Sequence, residues 1–255
     1  MSFLLIDNGN SRLKWAMAST TGELLQVCTV AIDSTLDTRW DECEAPERIW
    51  VTSVGSEQHK QRLKDIFEKK WNMTAEFITS PSSGSGITNA YKEPGRLGSD
   101  RWAAMVAAYH AVQSAVLVVD AGTALTIDAV NDQGQHLGGL ILPGFDLIQN
   151  ALVTGTNINF DINPGLSNSS MNSADFFGHS TEQGIASATQ HALSGLIDCA
   201  FRQLGEQLLA AESADKPACY LTGGDATQIK DTLQCPYVLE PSLVLKGLAL
   251  IAAAT

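Results

Sequence analysis

Disulfide and zinc chemistry are the first things this sequence does without. The five cysteines, Cys28, Cys43, Cys199, Cys219 and Cys235, are odd in number and form no CxxC pair. Thiols in a reducing compartment are therefore expected. Histidine is as sparse: His59, His110, His136, His179 and His191 give no HExxH pair for a metal-bearing helix. Basic runs are missing too. Sixteen Lys and Arg stand against 28 Asp and Glu, for a net charge of −12. Such a chain repels nucleic acid and anionic membranes, so neither is an expected partner. No apolar run reaches the length of about 18 residues that a membrane-spanning helix needs. The N-terminus shows no basic segment followed by a long apolar one, so no secretory signal is expected. A cytoplasmic protein is the resulting expectation.

What is present is a chain of 255 residues, 44% apolar and 17% charged, the balance of a folded protein with one large domain or two moderate ones. Residues 3–7 (FLLID), 11–18 and 23–32 read as a meander of strands, with NGN as the first turn. RIWVTSVG (48–55) reads as a strand, 56–70 as a helix and 75–80 as a short strand. Residues 81–99 are the most loop-like part of the chain, and a long loop in a folded protein is more often functional than idle. A helix is predicted over 100–113. Strands follow at 115–120, 121–130 and 136–144, then a long helix over about 181–211, a strand at 218–225 and a C-terminal helix in SLVLKGLALIAAA.

One pattern occurs twice. An apolar strand ends on Asp, turns on a glycine and returns as a strand, in LLIDNGNSRLKWAMA and again in LVVDAGTALTIDAV. A glycine turn exposes backbone N–H groups that can cradle phosphate oxygens. A carboxylate beside such a turn would repel phosphate unless a cation stood between them. A single Asp-x-Gly hairpin is common and means little; two copies point to two similar lobes holding one nucleotide.

The motifs DNGNSRLKW, GSDRW (98–102), DAGTALTID (120–128) and GGLILPG (138–144), with HSTEQGI (179–185), resemble the type III pantothenate kinases in order and spacing. That family belongs to the actin, sugar-kinase and heat-shock ATPase superfamily. The resemblance implies an α/β fold of two actin-like (ribonuclease-H-like) lobes, each a mixed sheet flanked by helices, with the active site in the cleft between them. Residues 1–113 would form the N-terminal lobe and 114–255 the C-terminal lobe. The implied activity is ATP-dependent phosphorylation of pantothenate to 4′-phosphopantothenate, the first step of coenzyme A biosynthesis. The alternatives are a non-enzymatic accessory regulator of the same family, or another small-molecule kinase of the superfamily.

The resemblance also implies residue roles. Asp7, Asn8, Gly9, Asn10, Ser11, Arg12, Leu13 and Lys14 would form the first phosphate loop. In it Asp7 lies near Mg²⁺ through water, and Lys14 approaches the transferred group. Ser11 stands where the family usually has Thr. Asp120 would bind a monovalent cation, K⁺ or NH₄⁺, and Thr123 would contact ATP. Tyr91, Gly98, Ser99, Asp100, Arg101 and Thr181 would contact pantothenate, with Asp100 as the catalytic carboxylate. Taken alone, Asp100 reads as a helix-start carboxylate, Arg101 as a surface charge and Tyr91 as packing. LTGGDA (221–226) is open to close ligand approach at the adenine end. Near Gly55 and Ser56, where relatives carry proline, no chemical residue is put in doubt. A homodimer is implied, with Thr181 crossing to the partner's pocket.

Overall fold

Leu4 and Ile6 point to one face of the first strand and Phe3 and Leu5 to the other, and all four are buried. A strand covered on both faces reads as a continuous apolar run, which is how this one appears in sequence. The computed structural model describes residues 2–10, 12–31, 40, 43–156, 176–213 and 216–255. They divide into two units: Met1–Gln113 with Gly134–His136 and Ser242–Thr255, and Ser114–Gln133 with Leu137–Pro241.

In the first unit β1 (Ser2–Asn8) pairs antiparallel with β2 (Arg12–Ser19), and β2 antiparallel with β3 (Leu24–Ala31). On its other side β1 runs parallel to β4 (Arg48–Ser53), and β4 parallel to β5 (Glu76–Phe77). The order is β3-β2-β1-β4-β5. Helix α1 (Glu57–Trp71) packs Leu63, Ile66 and Phe67 with Leu4, Ile6, Trp15 and Trp40. It starts on Ser56, whose side chain accepts from His59 N, and stops at Asn72 in the left-handed region (φ 52°). The loop-like stretch contains a small hairpin, β6 (Ser83–Gly84) with β7 (Ile87–Thr88), and a single 3₁₀ turn at Pro94–Arg96. Helix α2 (Ser99–Val112) follows and is buried almost all round, from Arg101 to Tyr109. Packing, rather than an amphipathic stripe, holds it.

The second unit repeats the plan. β8 (Val116–Ala121) pairs antiparallel with β9 (Ala124–Val130), which neighbours β10 (His136–Pro143). After α3 (Phe145–Gly155) and α4 (Thr181–Ala210), β11 (Ala218–Thr222) joins β8 in parallel. A short helix α5 (Ala226–Ile229) then leads to β12 (Val238–Leu239), parallel to β11. The order β10-β9-β8-β11-β12 matches the first sheet strand for strand. Leu117, Val119, Leu125 and Ile127 pack against Leu193, Ile197 and Leu204 of α4. Helix α3 is not among the elements predicted from sequence. Its apolar residues run on from β10, and its N-cap, Gly144, gives no side-chain signal of a start.

The last helix, α6 (Leu243–Ala253), packs in the first unit. Leu245, Leu248 and Ala249 join Phe3, Leu5, Ala16 and Trp50 on the second face of that sheet. Gly247 lies so close to α2 that a Cβ there would collide with the Ala103 carbonyl. Each buried leucine of α6 contributes about 1.5–3 kcal/mol. Two mixed sheets of the same topology, flanked by helices, make this the actin-like architecture expected from the sequence.

Candidate active site

Each central strand carries a carboxylate one residue before its end and then turns. In the first hairpin Asp7 stands opposite Lys14, and Gly9 N donates to Arg12 O at 3.2 Å. Directly opposite residues share a face of the sheet, so the carboxylate and the ammonium emerge side by side. Asp7 is half-buried and accepts a hydrogen bond from the buried Thr52 hydroxyl at 3.1 Å, on β4 in register with it. Asn8 is buried and turned inward, donating to Ser53 Oγ at 2.9 Å. Leu13 is fully buried in the core, so a ligand there would meet only its backbone. Asn10 and Arg12 are exposed at the turn, and Ser11 lies outside the described residues.

In the second hairpin Asp120 stands opposite Thr126 on β9 and in register with Thr222 on β11. This turn is one residue shorter, closed by Gly122 N to Ala124 O at 3.1 Å. Thr123 is exposed at its tip, and its carbonyl accepts from Gly144 N at 3.0 Å. Gly144 and Gly223 lie with backbone directly on this turn. A Cβ on Gly144 would meet the Gly122 carbonyl, and one on Gly223 (φ +98°) the Ala121 carbonyl. Gly223 of LTGGDA and Gly144 thus hold the second turn from behind.

The third component is the start of α2. Gly98 is its N-cap, Asp100 stands in its first turn, and Asp100 Oδ1 accepts from Arg101 N at 2.8 Å. Arg101 is only 8% exposed, so its charge requires partners. One is the Tyr91 hydroxyl, 3.1 Å from Nη1, with the guanidinium carbon 5.8 Å over the Tyr91 ring. Ser53 N donates to Ser99 Oγ at 3.2 Å. Asn8, Ser53 and Ser99 therefore tie the first turn to the start of α2 within one unit. Ser80 and Asn89, both buried, fasten the loop by donating to the carbonyls of Leu97 and Pro81. A pocket of about 230 Å³ opens here, lined by Ser53, Val54, Ser80, Gly98 and Ser99 among others.

Thr181, in the second unit, is exposed at the first position of α4, behind the Ser180 cap. The hydrogen bond from Ser180 holds the neighbouring Glu182 carboxyl below its usual range. A larger pocket, about 500 Å³, lies beside α4 at Asp198 and Cys235. Its carboxylate is already occupied by the Gln234 and Cys235 backbone N–H groups, and it touches none of the residues above. Cysteine chemistry is disfavoured at Cys219: its hydrogen bond with Cys235, and then burial, push that thiol well above its usual value.

Sequence reasoning passed over Thr52, Ser53, Ser80, Asn89, Thr126, His136 and Thr222. Thr52 and Thr222 had a signal, since each follows an apolar run and the repeat pairs them with Asp7 and Asp120. Ser80 and Asn89 had none in a loop full of serine and asparagine.

Among the described residues no three His, Cys, Asp or Glu cluster to cage a metal. Isolated carboxylates instead suit a hard cation that arrives with phosphates and keeps its waters. Beside Asp120 the Thr222 hydroxyl is buried without a hydrogen-bond partner, a second oxygen that such an ion could use. No helix among the described residues is long and apolar enough to cross a membrane.

Known proteins share this fold. A conserved Campylobacter jejuni protein, provisionally described as a Baf family transcriptional activator, has the same fold at a TM-score of 0.55 and 23% identity, covering 97% of this chain and 96% of that one. The activator of the 2-hydroxyisocaproyl-CoA dehydratase from Clostridium difficile, with bound ADPNP, gives 0.51 at 11% identity, covering 100% and 95%. The type III pantothenate kinase of Nitrosospira multiformis is 35% identical over 253 residues, 99% of this chain and 91% of that protein. The one of Nitrosomonas eutropha is 35% identical over 258 residues, covering 98% and 95%. The family model described as type III pantothenate kinase matches residues 3–203. By that match and those identities, the chain belongs to the type III pantothenate kinase family.

Proposed function

We propose that this enzyme transfers the γ-phosphoryl group of ATP to the primary hydroxyl of pantothenate, giving 4′-phosphopantothenate and ADP for coenzyme A synthesis. The observation that carries the residue assignments is the Asn8–Ser53–Ser99 chain. It couples a turn suited to phosphate with a helix start bearing a carboxylate and a buried arginine.

Phosphoryl transfer runs through a loose transition state, so positioning and charge neutralisation supply most of the rate. The backbone of Gly9 to Arg12 and the exposed Asn10 receive the phosphates, and Lys14 offsets the charge of the group in transit. Thr123 contacts the nucleotide from the second turn. Arg101 pairs with the pantothenate carboxylate through its planar fork, with Tyr91, Gly98 and Ser99 shaping the subsite. Asp100 takes the proton of the acceptor hydroxyl as the new O–P bond forms. The bond from the γ-phosphorus to the bridging oxygen breaks, and the electron pair leaves with ADP.

Asp7, through water, would hold Mg²⁺, and Asp120 would hold K⁺ or NH₄⁺; these ions supply counter-charge to the phosphates when bound. Thr181 completes the acceptor pocket from a partner subunit in a homodimer. β10 supports the dimer, because it is the last strand of its sheet order and exposes Leu140 and Ile141. The enzyme is cytoplasmic in this reading, since ATP is supplied there.

The test is ADP release with and without pantothenate, in Na⁺ and in K⁺, for wild type and Asp100→Asn. Asparagine keeps the acceptor for Arg101 N, and kcat should fall by about 10² to 10⁴-fold. Wild-type kcat in Asp100→Asn, with circular dichroism unchanged, would remove the carboxylate from the chemistry. Sedimentation should return a dimer mass; a monomer active at nanomolar enzyme concentration would exclude the crossing Thr181.

A further inference from the structure

His136 is 1% exposed and belongs to none of the motifs above. It lies in the acceptor loop's surroundings although 45 residues separate it from Tyr91 in sequence. Three consecutive residues bring it there. Gly134 O accepts from Thr88 N at 2.9 Å, and Gln135 bridges Thr88 in parallel. His136 Nδ1 accepts from Ala90 N at 3.4 Å. Gly134 takes φ +74°, and a Cβ on it would collide with the Gly86 carbonyl. The strap therefore lies backbone to backbone on the loop, closer than any side chain would allow.

The imidazole itself meets Tyr91. The rings are nearly parallel, 13° apart, with centroids 6.1 Å apart. Tyr91 is also fixed at its backbone, where N donates to Asn89 Oδ1 at 2.9 Å. Its hydroxyl accepts from Arg101 at 3.1 Å. A half-buried tyrosine on a long loop would otherwise sample several rotamers. Stacked on a fully buried ring, it presents one. With Nδ1 accepting, the neutral imidazole carries its hydrogen on Nε2, so the ring's tautomer follows from the strap.

We infer that His136 is a positioning residue of the acceptor subsite, holding the Tyr91 ring and, through the Tyr91 hydroxyl, the Arg101 guanidinium that meets the acceptor's carboxylate. This rests on the reading of Tyr91 and Arg101 given under Proposed function. Its consequence is specific: His136 sets the affinity for the carboxylate-bearing acceptor and leaves the nucleotide side alone. Freezing one rotamer-rich contact is a modest effect, so removing the ring should raise the KM for pantothenate by about 3- to 10-fold. The KM for ATP, and kcat at saturating pantothenate, should stay within about twofold.

The test uses full-length His136→Asn, whose Oδ1 still accepts from Ala90 N but has no ring, and His136→Phe, which keeps a ring but no acceptor. Tyr91→Phe serves as the control, and His136→Asn/Tyr91→Ala with its single variants closes a double-mutant cycle. The expected result is a raised pantothenate KM in His136→Asn and a value nearer wild type in His136→Phe. His136→Asn should add nothing in the Tyr91→Ala background. A purely structural histidine would instead lower kcat and shift both KM values together, with additive effects, and that outcome overturns the inference. If Tyr91→Phe raises the pantothenate KM and His136→Asn does not, the inference falls alone. If Tyr91→Phe leaves it unchanged, the acceptor-subsite reading falls and takes the inference with it.

Discussion

Thr52→Val tests how far a strand neighbour controls the first phosphate turn. Valine replaces a fully buried threonine with nearly the same volume, so no cavity opens. What is lost is the hydroxyl that donates to Asp7 Oδ1 at 3.1 Å, with Ile6 O a longer alternative at 3.4 Å. A hydrogen bond to a charged group is worth about 1.5–3 kcal/mol. Asp7 is only half-buried, so water replaces part of that bond, and the extra methyl returns about 0.8 kcal/mol. The net loss of stability should be about 1 kcal/mol, readable as a lower urea midpoint with an unchanged slope. The functional effect should fall on the nucleotide, because the Asp7 carboxylate loses one of the bonds that orient it beside the phosphates. About 1 kcal/mol corresponds to a roughly fivefold rise in the KM for ATP. Thr52→Ser, which restores the hydroxyl, should recover most of the ATP affinity. A Thr52→Val enzyme that loses stability yet keeps its KM for ATP would refute the link between Thr52, Asp7 and the nucleotide.

Three further outcomes follow from the same geometry. Gly144→Ala forces a Cβ into the carbonyls of Gly122 and Thr123; a loss of about 1–3 kcal/mol in stability and of most activity is expected from thermal melting and ADP release. Thr222→Val removes an unpartnered buried hydroxyl, so the melting temperature in Na⁺ should hold or rise while the extra stabilisation conferred by K⁺ shrinks. In thiol labelling of the native enzyme, exposed Cys199 should react first, and Cys219, buried and hydrogen-bonded to Cys235, should react only on unfolding.

Local chemistry was legible in the sequence because it is written in adjacent residues. Both hairpins, their carboxylates, the helix carrying Asp100 and Arg101, and the two-fold plan of the sheets follow from strand-length apolar runs that end on Asp and turn on glycine. The family resemblance rests on the same short motifs. The supports of the site were not legible, because they are contacts between residues far apart in the chain. Nothing in the stretch RIWVTSVG marks Ser53 as the joint between Asn8 and Ser99. Nor does His136, at the head of an apolar strand, announce that it stacks on Tyr91. A helix as apolar as α6 must be buried somewhere, yet its composition does not say against which sheet. That was decided by Gly247, whose missing side chain lets the helix approach Ala103, and by the open face of Phe3 and Leu5. The sequence by itself determined which groups could do the chemistry, since reactivity belongs to residue type and local turn. Only the tertiary structure decided how they are held, since orientation depends on side chains that meet only once the chain is packed.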